Sequence, residues 1–200
     1  MQPLIDQIEN LYRSRYHGAV NIRGIRYQVL YSAMRIFDLY NDAAPESICF
    51  EGIEDLDVNK VPKLELNSIR TSNEYIQVKS SVNTWYWSTF QKEKIIENFL
   101  DVWKIDDAAK FSFVINFDCD KKLTQLIEFC NGITQIFPDK IISNIQNIFG
   151  KKQLKKPAIE PFFKRVKVIR LSEVEILERI KAKVVKHFAL QTNNPNLYMY

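Results

Sequence analysis

The stretch Phe111-Ser112-Phe113-Val114-Ile115-Asn116-Phe117 constrains the fold most, because five of its seven residues are large and apolar. Apolar side chains on adjacent positions, not only on alternate ones, suit a strand covered on both faces. The run predicts a central strand, with helices packed on its sheet. From Gly24 to Tyr40, the residues Ile25, Val29, Met34, Ile36, Phe37 and Tyr40 recur at near-helical spacing, which predicts an amphipathic helix. An earlier helix is expected over Leu4 to Tyr16, broken near Gly18. Ser47–Glu51, Leu56–Val58, Leu64–Leu66 and Tyr75–Lys79 are short and alternating and read as strands of one meander. Phe90 to Trp103 places Ile95, Ile96, Phe99, Leu100 and Trp103 on one helical face. Two more helices are expected near Lys121–Cys130 and Asp139–Phe149, then a strand over Arg165–Leu171. Ser172 and Glu175 form a capping-box signature, opening a helix whose stripe is Val174, Leu177, Ile180, Val184 and Phe188. A polar, frayed end is expected from Gln191 to Tyr200. The order is α/β: a helix, a three-strand meander, a helix and a strand, with additional C-terminal helices and a strand.

With 46% hydrophobic and 26% charged residues, 200 positions suffice for one domain. We expect a core over about 24–120 and a helical, basic extension over about 121–200, with Gly150 as the internal boundary. No apolar run approaches the ~18 residues of a membrane span, and the N-terminus lacks the pattern of a signal peptide. Cys49, Cys119 and Cys130 show neither disulfide-framework nor zinc spacing, and His17 and His187 have no ligand pattern. A reducing cytoplasm without membrane attachment is the expectation. Charge is uneven: residues 1–150 hold 16 Lys/Arg against 20 Asp/Glu, whereas 151–171 hold 8 basic residues against Glu160 alone. Such density can follow a phosphate backbone, which makes Lys151, Lys152, Lys155 and Lys156 candidate DNA contacts; the bland alternative is a solvated linker.

Gln77 and Lys79 are two apart on a predicted strand, so they share one face while Ile76 and Val78 take the other. The separation from Asp55 allows its carboxylate to lie beside them on the neighbouring strand. Asp57 faces the same side of a regular strand and is the competing candidate. Carboxylate and amide oxygens are hard ligands suited to Mg²⁺ or Mn²⁺, and a lysine beside them can orient attacking water and stabilise charge on a phosphate. The chemistry that fits is phosphodiester hydrolysis. The bland reading is a polar hairpin face with a surface ion pair.

Tyr27-Gln28, the stretch Phe50-Glu51-Gly52-Ile53-Glu54-Asp55-Leu56-Asp57, and Tyr75-Ile76-Gln77-Val78-Lys79-Ser80 together resemble the restriction-endonuclease-like, PD-(D/E)XK nucleases. The likeness is greatest to the N-terminal double-stranded-DNA endonuclease domain of bacterial anti-phage effectors. The resemblance implies Asp55 as metal-binding aspartate, Gln77 at the usually acidic position and Lys79 as the lysine, with Glu51 and Gln28 supporting the site. The family pattern favours Asp55 over Asp57, and the Val78 carbonyl completes the ligand set. Gln77 removes one negative charge that many members of the superfamily carry, although many relatives in the resembled group share that Gln. The implied protein is a Mg²⁺-dependent endonuclease of double-stranded DNA, controlled by homo-oligomerisation or by a sensing module outside this chain. RNA cleavage and a non-cutting nucleic-acid-binding or oligomerisation module are the competing functions. Trp85 and Trp87 can stack on a base, but packing is the ordinary role of aromatics heading a helix. Gln28, on an apolar helix, can equally be a hydrogen-bonded buried amide.

Overall fold

A five-stranded sheet in the order β1 (Glu46–Phe50), β2 (Leu56–Lys60), β3 (Glu74–Lys79), β4 (Lys110–Ile115) and β5 (Val166–Arg170) organises the computed structural model. The structure describes residues 22–38, 46–50, 55–60, 73–154 and 158–192. β1, β2 and β3 form an antiparallel meander, and β4 lies between β3 and β5, parallel to both. The apolar run therefore occupies an interior strand. Phe111, Phe113 and Ile115 enter one apolar cluster and Val114 the other, as strand alternation requires.

Helices cover both faces. Helix α1 (residues 22–38) places Tyr27, Tyr31 and Met34 against Leu56, Val58, Ile76, Val78 and Val114. Leu171 and Ile176, the latter in the first turn of the last helix, complete that layer. On the opposite face lie α2 (Trp87–Lys92), α3 (Ile95–Ile105), α4 (Lys121–Cys130), α5 (Asp139–Lys151) and α6 (Ile159–Phe163), whose apolar residues pack on Tyr75, Phe111 and Phe113. Helix α7 (Glu173–Thr192) follows β5. The Asn131 side chain, just beyond α4, accepts from Val168 N and donates to Val168 O, both at 2.9 Å, and so satisfies part of the β5 backbone.

Several sequence expectations change in detail. On α1 the buried stripe is Tyr27, Tyr31 and Met34, whereas Ile25, Val29 and Ile36 are exposed. The aromatic rings bury more surface than the aliphatic residues, and the Tyr27 hydroxyl finds an acceptor in Leu171 O at 2.8 Å. The single helix expected over 90–103 is two, because Phe90 and Ile95 are five positions apart and cannot share one helical face; a break at Glu93–Lys94 lets both be buried. Helix α7 buries Ile176, with Ile180 partly buried, and leaves Val174 and Leu177 exposed. The Ser172–Glu175 capping box forms as read, with Ser172 N donating to Glu175 Oε2 and Glu175 N to Ser172 Oγ. Inside the basic segment, α6 buries Ile159, Phe162 and Phe163, so apolar residues between the lysines belong to the core. α5 runs through Gly150 to Lys151. The expected elements at Leu4–Tyr16 and Leu64–Leu66, the break near Gly18, and residues 193–200 lie outside the described residues. Among those residues, no helix is long and apolar enough to cross a membrane.

Candidate active site

The β2–β3 ladder ends at the Leu56–Ile76 pair. In a strand, one residue's N–H and C=O point to the same edge, so the next groups on this edge of β3 belong to Val78. They require partners. Asp55, just before β2, accepts the Val78 N–H on Oδ2 at 2.8 Å, and Gln28 on α1 donates its Nε2 to the Val78 carbonyl at 3.4 Å. Three separate segments thus meet at one residue, Val78. Asp55 also lines an open cleft of about 460 Å³ with Gln28, Ser32 and the exposed Ile25, Val29 and Ile36.

Ile76 and Val78 are buried beneath α1, so strand alternation presents Gln77 and Lys79 on the other face. Gln77 is 6% exposed, and its Oε1 is fully enclosed without a hydrogen-bond partner among the described residues. An unpaired buried acceptor of this kind costs about 1–3 kcal/mol and marks a place for a donor or a cation. Lys79 is partly exposed, with Nζ 3.4 Å from Glu93 Oε2. Asp57 is buried further along β2, opposite Tyr75. Burial first, and then the Asp106 and Asp57 charges, push the Tyr75 phenol up, against a lowering hydrogen bond from Asn73. Asp55, not Asp57, is the carboxylate bonded to the N–H of Val78, the residue between Gln77 and Lys79.

The second oxygen of Asp55, the orphaned Gln77 Oε1 and the Val78 carbonyl oxygen are all hard donors, which suit Mg²⁺ or Mn²⁺ in chemical type. Among the described residues, no group of three His, Cys, Asp or Glu side chains is placed to hold a metal. An ion here would depend on an amide and a backbone oxygen as well as one carboxylate. Glu51 and Glu54 lie outside the described residues, as do His17, Lys155 and Lys156.

The remaining candidates are dispersed. Lys151 is exposed at the end of α5, and Lys152 pairs with Asp101. The same basic segment instead supplies Lys164, Arg165 and Lys167 to an open groove of about 430 Å³, shared with Lys110 at the start of β4. Among the described residues, the one carboxylate lining it, Glu74, is held by Arg35 at 3.4 Å and by the Ser112 hydroxyl at 2.5 Å. Sequence spacing did not reveal this cluster, because Lys110 joins it only through the parallel pairing of β4 with β5. Trp85 and Trp87 are buried, Trp85 stacking on Phe117 with ring centroids 4.3 Å apart. Their role is packing. Glu93 was also missed, because it lies at the break between two helices that periodicity merges into one.

Residues 18–198 match the family model described as the Cap4 double-stranded-DNA endonuclease domain. The chain belongs to this family. The kinship expected from Phe50–Asp57 and Tyr75–Ser80 is borne out, since the likeness was drawn to the endonuclease domain of anti-phage effectors. No curated protein matches the chain. Among solved structures, the Cap4 SAVED/CARF-domain-containing receptor of Moraxella osloensis is similar at 14% identity and a TM-score of 0.50, covering 82% of this chain and 37% of the receptor. The corresponding receptor of Acinetobacter baumannii, with the cyclic trinucleotide 3'3'3'-cAAA, aligns at 13% identity and a TM-score of 0.52, covering 82% of this chain and 35% of its own. These likenesses concern the fold, a mixed α/β sheet with helices. The chain spans little more than a third of the length of these receptors.

Proposed function

We propose that this chain is a metal-dependent endonuclease domain that hydrolyses phosphodiester bonds of double-stranded DNA, on a restriction-endonuclease-like core formed by α1, β1–β4 and α3. The observation that carries the reading is the hydrogen bond from the Val78 N–H to Asp55, at a strand residue flanked by Gln77, whose Oε1 is buried without a partner among the described residues, and by Lys79. Family membership supports the substrate.

In this reading Asp55, Gln77 and the Val78 carbonyl hold Mg²⁺ or Mn²⁺. When bound, the ion supplies Lewis-acid polarisation at the phosphate. Gln28 holds the Val78 peptide from α1, and the Val78 N–H holds Asp55 in a fixed orientation. The Lys79 ammonium orients attacking water and stabilises the negative charge that develops on the phosphate oxygens. The water oxygen bonds to phosphorus and one P–O ester bond breaks. One water proton passes to solvent, the departing oxygen takes a proton from solvent and ends as a hydroxyl, and the other product end carries a phosphate monoester. Anti-phage defence is the proposed setting. Control by self-assembly, or by a sensing module such as the one named in the SAVED/CARF-containing receptors, would restrain cutting of the host's own DNA.

Incubation of supercoiled plasmid, linear duplex and RNA of matched length with Mg²⁺ or with EDTA, over a range of protein concentrations, tests this. Metal-dependent cleavage of duplex DNA is expected. Cleavage of RNA alone would move the assignment to a ribonuclease. Tight DNA binding without cutting at any concentration would support a non-catalytic binding module.

A further inference from the structure

Glu93 occupies the two-residue break between α2 and α3, where its Oε2 lies 3.4 Å from Lys79 Nζ. A surface ion pair between two mobile side chains contributes only about 0–1 kcal/mol, so distance alone would mean little. Here the turn that carries the carboxylate is pinned on both sides. Phe90 on α2 is 6% exposed and Ile95 on α3 is 1% exposed, so the bend cannot swing without drawing one of them from the core. Glu93 N donates to Thr89 O at 3.2 Å and Lys94 N to Gln91 O at 3.1 Å, closing the turn. Lys94 adopts φ 53, the left-handed region, which costs a non-glycine residue about 1–2 kcal/mol and persists only where the surroundings enforce it. At the other end, Lys79 closes β3, where it pairs with Ile115 of β4.

We infer that Glu93 is a positioning residue for the reaction: its carboxylate holds the Lys79 ammonium at the end of β3, beside the Val78 peptide. The inference rests on the nuclease reading above. Gln77 is neutral, so the residue preceding Lys79 on the same strand face brings no charge to restrain the lysine. Glu93 supplies that restraint from across the site. It acts through Lys79 and does not itself touch the phosphate.

Two consequences separate this role from a structural one. A carboxylate beside the lysine that meets the phosphodiester in this reading repels the substrate, so removing its charge leaves DNA binding unchanged or tighter. Turnover nevertheless falls, because a misplaced reactive group costs rate even where binding is intact. Glu93→Gln, Glu93→Asp and Lys79→Ala are compared with the parent chain by steady-state cleavage of a defined duplex in Mg²⁺. Anisotropy of the labelled duplex in EDTA measures binding without metal, and thermal melting confirms folding. For Glu93→Gln, kcat is expected to fall by about 10- to 100-fold, with KM and the EDTA Kd unchanged or lower. Glu93→Asp, which keeps the charge on a shorter stem, recovers most of kcat. A Glu93→Gln kcat within about two-fold of the parent overturns the inference, as does a loss that appears in metal-free binding to the same extent. If Lys79→Ala abolishes cutting while Glu93→Gln cuts normally, only the Glu93 assignment fails. If Lys79→Ala cuts like the parent, the nuclease site itself is misassigned and the Glu93 role falls with it.

Discussion

Replacing Asp55 with alanine removes the acceptor that holds the Val78 N–H at 2.8 Å. The cost has a structural and a chemical part. A hydrogen bond to a charged acceptor contributes about 1.5–3 kcal/mol, and an orphaned donor costs about 1–3 kcal/mol. Asp55 is half-buried and lines an open cleft, so water can reach part of the site and the lower half of that range applies. At about 2–4 °C per kcal/mol for a domain of this size, Asp55→Ala should lower Tm by roughly 2–8 °C. Asp55→Asn keeps an oxygen for the Val78 N–H and loses only the charge, for a cost near ~1 kcal/mol and a Tm within about 4 °C of the parent. The chemistry separates differently, because both variants lose the carboxylate. Each should cut plasmid more slowly by about 100-fold or more, the order expected for loss of a preorganised electrostatic contact. Thermal melting and plasmid cleavage on the same preparations read both effects. Asp55→Asn cutting at the parental rate, or Asp55→Ala melting with the parent, would refute the reasoning.

Burial pushes the Tyr31 phenol up from 10 to about 12, against a lowering influence from Arg35, and moves Tyr27 in the same direction. Both folded values lie above the unfolded one, so the stabilisation is complete below pH ~10 and is lost as pH rises from there through 12. Tm should decline above pH ~10 and decline less in Tyr31→Phe; a Tm independent of pH up to 12 would contradict the packing of α1. Alanine at Lys110, Lys164, Arg165 and Lys167 together should weaken DNA binding and flatten the dependence of log K on log salt by up to ~4, about one per cation. An unchanged slope would exclude this groove from the DNA contact.

The fold was legible where pattern and burial agree. The run at 111–117 is apolar on both strand faces, and β4 is covered on both. Helix phase was less legible. Ile25 and Val29 form as good a helical stripe as Tyr27 and Tyr31, and only the location of an acceptor for the Tyr27 hydroxyl, Leu171 O far along the chain, favours the tyrosines. The break at Glu93–Lys94 carries no Gly or Pro, so no local signal marked it. At the site, the same-face pair Gln77 and Lys79 followed from strand alternation, but the choice between Asp55 and Asp57 depends on where the β2–β3 ladder ends. That is a tertiary fact. Basic residues were legible as a segment but not as a surface, since α6 buries the apolar part of the segment and β5 pairing brings Lys167 toward Lys110.

The most direct test of the central claim is single-turnover cleavage of a labelled duplex by the parent chain and by Lys79→Ala, in Mg²⁺ and at saturating protein, with binding of the same duplex measured in EDTA. The expected result is metal-dependent cutting by the parent and loss of cutting in Lys79→Ala with binding retained. Equal cleavage by the two proteins would contradict the assignment of Asp55, Gln77 and Lys79 as the reactive site.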